Sequence, residues 1–489
     1  MDIKYFLIII IIIIYVLYNL MYIENFEDKT ELIDLYNKTI VRIRTQKKDF
    51  NWLEPYITES SYESIGTGFF INLKGYLVTN YHVINNSLKI YIQIPIYGNK
   101  TFSCDLISVY PKLDLALLKI KDFKNDKFLD LGVSNKLRRG EEVIAIGYPL
   151  GQTKIKMTSG IVSGFQDGDI QTDSAINNGN SGGPLIKDNK VIGINYSGYN
   201  DAQNVSYAIP VDYFKKVHKD MLTNKFINFP ILGCTFNNTN NTIMKQRKLC
   251  KEGYYISKVL ENGTMCKSGV KKGDVLCAFD GLPIDNFGEV FIKSLDMKFH
   301  IMDYLKYKKV GEELEIVIIR ENENKRLTKT IKLLDNKFYK TRYKYPLYDK
   351  IEYVIIGGMI IMELNNNHFD LDEVKESSIV IKYDKIENKT DTKLIITKIL
   401  KGSILAEFNV FKAPNILKEV NNIQVTNISN LKEALKKMKK DNGETYMSFL
   451  TENDKYFVLE KNDIKKEELF LSKQLEYKIT PYIKNLLGF

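Results

Sequence analysis

Cysteine, histidine, proline and tryptophan are scarce in this chain of 489 residues, and each shortage narrows what the chain can be. The five cysteines, Cys104, Cys234, Cys250, Cys266 and Cys277, are widely spaced, odd in number and free of any CxxC pair. That spacing implies neither a disulfide framework nor a zinc site. No cluster of His, Cys, Asp and Glu has ligand spacing, so no metal and no cofactor is expected. No GxxxxGK[ST] loop is present, so unfolding driven by ATP hydrolysis is not expected. Charge of one sign is not concentrated anywhere. Lys and Arg number 70 against 60 Asp and Glu, and the +10 excess is spread along the chain. A solvated basic surface follows, and no nucleic-acid partner is expected.

The length suggests about three domains. Apolar residues make up 44% and charged residues 27%, enough to bury a core. One long apolar run stands out. Tyr5–Ile23 carries no charge and is long enough to cross a bilayer, with Tyr15, Tyr18 and Tyr22 toward its end. No small-residue cleavage site follows, so a retained single-pass anchor is expected, its compartment and orientation open. From Thr39 onward short apolar runs alternate with turns: TIVRIR, GTGFFI, GYLVTNYHVI, LKIYIQIPIY, LDLALLKI, EEVIAIGY and VSYAIP. This predicts a mostly β fold with a barrel or sandwich, ending in a helix from Val211 to about Leu222. Two further regions show corresponding segments in the same order, which predicts a duplicated module. A helix is expected near Val290 to Tyr307. The run YVIIGGMII is too short for a membrane span and reads as a buried strand.

Three residues carry the chemistry. Ser181 lies in Gly179-Asn180-Ser181-Gly182-Gly183-Pro184-Leu185, where glycines on both sides permit an unusual backbone and leave room for a substrate chain. His82 ends an apolar strand, and His218, His300 and His368 sit in no comparable pattern. Asp114 heads Asp-Leu-Ala-Leu-Leu-Lys-Ile120. Alone it would read as a turn residue; between His82 and Ser181 it completes a nucleophile, base and orienting carboxylate. The order His, Asp, Ser is that of chymotrypsin-like double barrels. Gly179, Asn180 and Ser181 are the expected oxyanion hole, the amides of Gly179 and Ser181 pointing at one oxygen. Ala175 lies six residues before Ser181, where an acidic residue would give trypsin-like specificity. With Ile176, Ile194 and Asn195 it is expected to line a pocket for small or medium aliphatic side chains. Asp173 is the acidic residue that a shifted loop would bring in.

The strings GTGFFI, YLVTNYHVI, DLALLKI, AIGYPLG, TSGIVSG, IQTDSAINNGNSGGPL, VIGIN and VSYAIP together resemble the HtrA/Deg family of serine proteases with PDZ domains. Asn51-Trp-Leu-Glu-Pro55 and the tail YFKKV…FPILG resemble its plant-type Deg branch. The chain departs from the family at Asn178, usually proline, and at Lys412-Ala-Pro-Asn-Ile, where a GxKxGD turn is usual. The resemblance implies a chymotrypsin-like double β-barrel followed by two PDZ-like domains, the second diverged. The expected division is 1–23 anchor, 24–48 stalk leading into the barrel, 49–224 protease, 225–340 PDZ domain, 341–475 diverged PDZ-like domain and 476–489 tail. Ile231, Leu232, Gly233 and Cys234 are implied as the loop that captures C-terminal peptide ligands in the first PDZ domain. Unfolded polypeptides are the implied substrates, and a homo-trimer or hexamer the implied assembly. Three functions remain open from sequence: a membrane-tethered endopeptidase for unfolded or damaged proteins, a non-catalytic chaperone or PDZ scaffold, and a narrow processing protease.

Overall fold

A computed structural model describes residues 14–15, 31–198, 204–246, 250–320 and 325–489. No described helix is long and apolar enough to cross a membrane. The expected span Tyr5–Ile23 lies outside the described residues except at positions 14 and 15. The chain forms two compact units, and two segments change sides. Lys48–Ser61 belongs with the second unit and Ile292–Tyr307 with the first.

The first unit holds two closed barrels. One is built from β1 (Ile40–Lys47), β2 (Tyr62–Phe70), β3 (Tyr76–Thr79), β4 (Ser87–Gln93), β5 (Thr101–Tyr110) and β6 (Leu115–Ile120), in the order β1-β2-β3-β6-β5-β4. The other uses β7 (Glu142–Gly147), β8 (Lys156–Gln166), β9 (Asp169–Thr172), β10 (Pro184–Lys187), β11 (Lys190–Gly198) and β12 (Ser206–Pro210), in the order β10-β11-β12-β9-β8-β7. Closure leaves no free sheet edge and gives each barrel its own apolar interior. Val143, Ala145, Val162, Ile170, Leu185, Ile192 and Ala208 fill the second. Each large side chain so buried contributes roughly 1.5–3 kcal/mol. The predicted helix forms as Val211–Met221 and buries Val211, Tyr213, Phe214, Val217 and Met221 along one face.

The segment expected to be helical near Val290–Tyr307 is mostly extended. Glu289–Ile292 and Met297–His300 are strands, and helix is confined to Ile301–Tyr304 with a 3₁₀ turn at Leu305–Tyr307. Tertiary contacts override local pattern here. Phe299 packs edge-on to Phe165 at 6.5 Å, and Tyr307 meets Tyr213 at 4.6 Å.

In the second unit β13 (Cys234–Asn237), β14 (Tyr254–Val259) and β15 (Asp274–Phe279) lead into the strands Glu313–Arg320 and Lys325–Lys332, in that spatial order. Cys250 and Cys277 are joined by a disulfide, against the expectation of none. Folding sets this pair 27 residues apart in sequence with Cα atoms at 6.1 Å, a proximity that spacing alone does not show. A second sheet follows, with strands in the order Tyr353–Ile356, Met359–Glu363, Leu394–Ile399, Asn415–Val420, Glu444–Thr451 and Lys439–Asp441. The run YVIIGGMII is therefore not one strand but a hairpin. Gly357 and Gly358 have φ of +56° and +71°, which a tight two-residue turn requires. Phe50 and Trp52 pack against the buried cluster of Met362, Leu364, Phe369 and Ile395, and the carbonyl of Leu53 accepts a bond from Thr397 Oγ1 at 2.7 Å.

Candidate active site

His82 sits in the single helical turn Tyr81–Ile84 that follows β3. Asp114 follows the 3₁₀ turn Pro111–Leu113 and takes a left-handed backbone, φ +50°. A non-glycine residue in that region is uncommon, with Asp and Asn the best tolerated. The turn aims both carboxylate oxygens at one residue. Oδ1 accepts the His82 amide at 2.8 Å, and Oδ2 lies 2.7 Å from Nδ1 of the ring. Around this pair the backbone is pinned. The Asp114 carbonyl accepts the Tyr81 amide at 3.0 Å and Asn80 Nδ2 at 3.1 Å. Lys47 Nζ donates to the His82 carbonyl at 2.5 Å and to Asn85 Oδ1 at 2.7 Å. A proton on Nδ1 held by a carboxylate leaves Nε2 free to accept one.

Ser181 is placed by backbone instead. A Cβ on Gly179, φ +101°, would lie 2.2 Å from the Tyr148 carbonyl oxygen. One on Gly182, φ +85°, would lie 2.1 Å from Thr79 Oγ1 and 2.2 Å from the Thr67 carbonyl oxygen. The glycines flanking Ser181 are thus required both by φ and by close approach. Thr67 ties the loop to β2. Its amide donates to the Ser181 carbonyl at 2.8 Å, and its hydroxyl donates to the Gly179 carbonyl at 2.7 Å while accepting the Tyr148 amide at 3.1 Å. Thr79 Oγ1 in turn donates to the Thr67 carbonyl at 2.7 Å. The string GTGFFI contains Thr67, but nothing in the sequence marks it as a partner of a loop 112 residues away.

The amides of Gly179 and Ser181 have no acceptor among the described residues, whereas the Asn180 amide donates to the Asn177 carbonyl at 2.9 Å. Of the three expected oxyanion residues, Gly179 and Ser181 therefore have uncommitted N–H groups. His82 and Ser181 line one open cleft of about 420 Å³ with Glu63, Ser64, Ile65, Val83, Leu150, Gly151, Asn178 and Gly179. No hydrogen bond joins the two among the described residues; the Ser181 hydroxyl donates to the Tyr196 carbonyl at 3.2 Å.

The residues expected in a specificity pocket lie elsewhere than this cleft wall. Ala175 is exposed, and its carbonyl accepts Thr158 Oγ1 at 3.0 Å. Ile176 is buried in the second barrel's core. Ile194 and Asn195 are fully buried, and Asn195 Nδ2 donates to the Pro184 carbonyl at 3.0 Å. Asp173 is exposed and accepts the Ile161 amide at 2.6 Å. In the first PDZ module the Ile231 amide donates to Leu334 at 2.9 Å, and the Leu232 carbonyl accepts the Met265 amide at 2.9 Å. Gly233 has φ +69°, and Cys234 begins β13. Among the described residues no group of His, Cys, Asp and Glu is disposed to hold a metal.

One polar group linked to Ser181 through Tyr196 carries no signal in the sequence. Asp169 Oδ2 accepts the Tyr196 hydroxyl at 3.1 Å and pairs with Lys306 Nζ at 3.3 Å. Burial pushes its carboxyl up to about 6, against the opposing pull of Lys306. It thus anchors the residue whose carbonyl receives the Ser181 hydroxyl.

Comparison with known proteins bears on the family and the fold. Residues 66–194 match the trypsin-like peptidase domain, and residues 344–480 match a PDZ domain. The second match covers the module expected to be the diverged one. The chain is 32% identical over 392 residues to a DegP-like periplasmic serine endoprotease of Rickettsia conorii, covering 77% of this chain and 72% of that protein. It is 28% identical over 427 residues to the mitochondrial protease Do-like 3 of Arabidopsis thaliana, covering 82% and 72%. A solved structure of a variant HtrA-type protease AlgW with a decapeptide shares the fold, with a TM-score of 0.50 at 22% identity over 65% of this chain and 99% of that one. With a trypsin-like domain and relatives of this kind matched over most of their length, the chain belongs to the HtrA/Deg family and is a serine endopeptidase.

Proposed function

We propose that the chain is an ATP-independent, membrane-tethered endopeptidase that cuts unfolded or damaged polypeptides with His82, Asp114 and Ser181 as its triad. The observation that carries this reading is the fixed His82–Asp114 pair, 2.7 Å apart, whose His82 lines the same cleft as Ser181. In the proposed mechanism the Ser181 hydroxyl leaves the Tyr196 carbonyl and turns toward Nε2 of His82. His82 then takes the hydroxyl proton as Oγ attacks the scissile carbonyl. Asp114 holds the ring and stabilises the imidazolium. The amides of Gly179 and Ser181 receive the oxyanion, and His82 returns the proton to the leaving amine. Water repeats the sequence on the acyl-enzyme. Cleavage after small or medium aliphatic residues is the proposed preference; Ile65, Val83 and Leu150 line the cleft beside Glu63, Ser64 and Asn178. C-terminal peptides are the proposed ligands of the first PDZ module, and a trimer or hexamer the proposed assembly. Tethering rests on the uncharged Tyr5–Ile23 run.

Labelling with a fluorophosphonate probe tests the core of the proposal. Wild type is expected to label and Ser181→Ala to remain blank. Equal labelling of both, or undiminished casein cleavage by Ser181→Ala, would refute the assignment. Full-length protein released by carbonate extraction would refute the tether.

A further inference from the structure

Leu150 holds a backbone conformation that leucine rarely adopts. Its φ of +54° and ψ of +27° lie in the left-handed region, where a bulky side chain is an outlier. The side chain is 74% exposed, so packing does not offset the strain. Bonds on either side impose the conformation. The Leu150 amide donates to the Asn178 carbonyl at 2.6 Å, and the Gln152 amide to the Pro149 carbonyl at 3.1 Å. The buried Arg42 of β1 donates to the Gly151 carbonyl at 2.7 Å and to Gln93 Oε1 at 3.2 Å. The turn Pro149–Gly151 is thereby tied both to the first barrel and to the serine loop, and it presents an apolar side chain to solvent.

That side chain lines the cleft that holds His82 and Ser181. Ile65 of β2, Val83 of the turn after β3, and Asn178 and Gly179 before the serine form other parts of its wall. Tyr196 of β11, whose carbonyl accepts the Ser181 hydroxyl, contributes nothing to it, and neither do Ala175 and Ile176. In the mechanism proposed above, His82 returns its proton to the nitrogen of the departing fragment. That fragment leaves over His82, on the side of this cleft. Glu63 on the rim carries a charge, and Arg44 Nη2 donates to both its oxygens, at 3.2 and 3.1 Å. A basic side chain entering there competes with Arg44, and an acidic one meets Glu63.

We propose that Leu150 sets specificity on the leaving-group side of the cut. It packs against the first residue of the departing fragment and favours an aliphatic side chain there. The proposal rests on the reading of His82, Asp114 and Ser181 as the triad. A leucine kept strained and exposed on a pinned turn is then explained by contact with substrate and not by contact within the protein.

Acyl transfer by the full chain tests the proposal. A short peptide ending in a valine thiobenzyl ester acylates Ser181, and the thiol leaves with the proton that His82 took from the serine. Thiol release therefore reports acylation. An added amino-acid amide then competes with water for the acyl group. Its nitrogen attacks the ester carbonyl and gives a proton to His82, which passes it to Ser181 Oγ as the C–O bond breaks and a peptide bond forms. The amine thus occupies the place of the departing fragment, and the ratio of peptide amide to free acid reads its binding there. Leucinamide is expected to be used at least about fivefold more efficiently than glycinamide or the α-amide of aspartate. Leu150→Asn, which suits a left-handed backbone but lacks the apolar side chain, should bring that preference within about twofold, and Leu150→Met should retain it. Equal use of the three amides, a stronger preference for lysinamide, or an undiminished leucine preference in Leu150→Asn would overturn the inference. Thiol release no faster than with Ser181→Ala would instead overturn the triad, and the inference would fall with it. Thermal unfolding separates a structural role: Leu150→Asn is expected to melt no lower than wild type, and a drop of more than about 4 °C would assign the leucine to the fold and overturn the inference.

Discussion

His82 and Asp114, carried by the first barrel, are held by several bonds that involve their own and neighbouring side chains, whereas Ser181, carried by the second, is held mainly by the backbone geometry of its loop. The His82–Asp114 pair is fixed from several directions, by its own two contacts and by Lys47, Asn80 and Tyr81. The serine loop gains its shape from glycines with positive φ and from its bonds to Thr67. A site assembled in these two ways has one half that tolerates little chemical change and one half that tolerates little added volume. The hydroxyl of Ser181 is bonded to Tyr196 and not to His82, so the proposed mechanism requires the second half to move.

Removing the proposed reacting groups should have the largest effect. Ser181→Ala, His82→Ala and Asp114→Asn are each expected to lower kcat by about 10⁴ or more with the fold retained, because the three act as a unit. Steady-state cleavage of an unfolded protein, with circular dichroism alongside, checks this. Full activity in Asp114→Asn would break the comparison at its first half.

Gly182→Ala comes next. The methyl meets the Thr67 carbonyl as well as Thr79 Oγ1, so adding Thr79→Ala should not rescue it. A loss of about 2–4 kcal/mol in unfolding free energy is expected, with a fall in kcat. Denaturant unfolding of the single and double variants measures it. Rescue by the second substitution would show that only a flexible side chain stands in the way.

Thr67→Val should cost less, about 1–3 kcal/mol, since it strands the Gly179 carbonyl and the Tyr148 amide in a buried place. Thr67→Ser keeps the oxygen and is expected to restore activity. Parallel kcat values for Val and Ser variants, both low, would assign the effect to packing and not to the hydroxyl.

The smallest effect is a pH slope. The Asp169 carboxyl binds its proton more tightly folded, at about 6, than at its ordinary value of 3.8, chiefly because it is buried. The folded state therefore holds more protons between these values, and unfolding free energy falls as pH rises through that window. A decline on the order of 1–3 kcal/mol is expected from about pH 4 to pH 6.5. Asp169→Asn should flatten it. The same slope in the variant, by thermal unfolding at matched ionic strength, would place the proton elsewhere.

The proposed triad was legible because each member lies in a local string: a histidine at a strand end, an aspartate before a strand, a serine among glycines. The double barrel was legible from many short apolar runs. What escaped depends on distance in sequence. Thr67 looks like any threonine in a strand until the loop it binds is in place. Cys250 and Cys277 have no motif. Asp169 and Lys306 belong to separate regions, and Lys306 sits in a segment whose pattern reads as helix but which is mostly extended. The hairpin at Gly357–Gly358 carried a visible signal, two glycines between apolar runs, which the length of the run as a whole obscured.

The connection between β1 and β2 also sets a timetable. Its residue Leu53 bonds to Thr397, 344 positions later. At a synthesis rate of about 5–20 residues per second, Leu53 leaves the ribosome roughly 20–70 seconds before that partner exists. The strands on either side of the connection belong to the first barrel and can pair as soon as both have been made. Phe50 and Trp52, whose resting place is the C-terminal module, must wait in water meanwhile. A segment that was among the first to be translated can therefore dock only after the chain has reached Thr397.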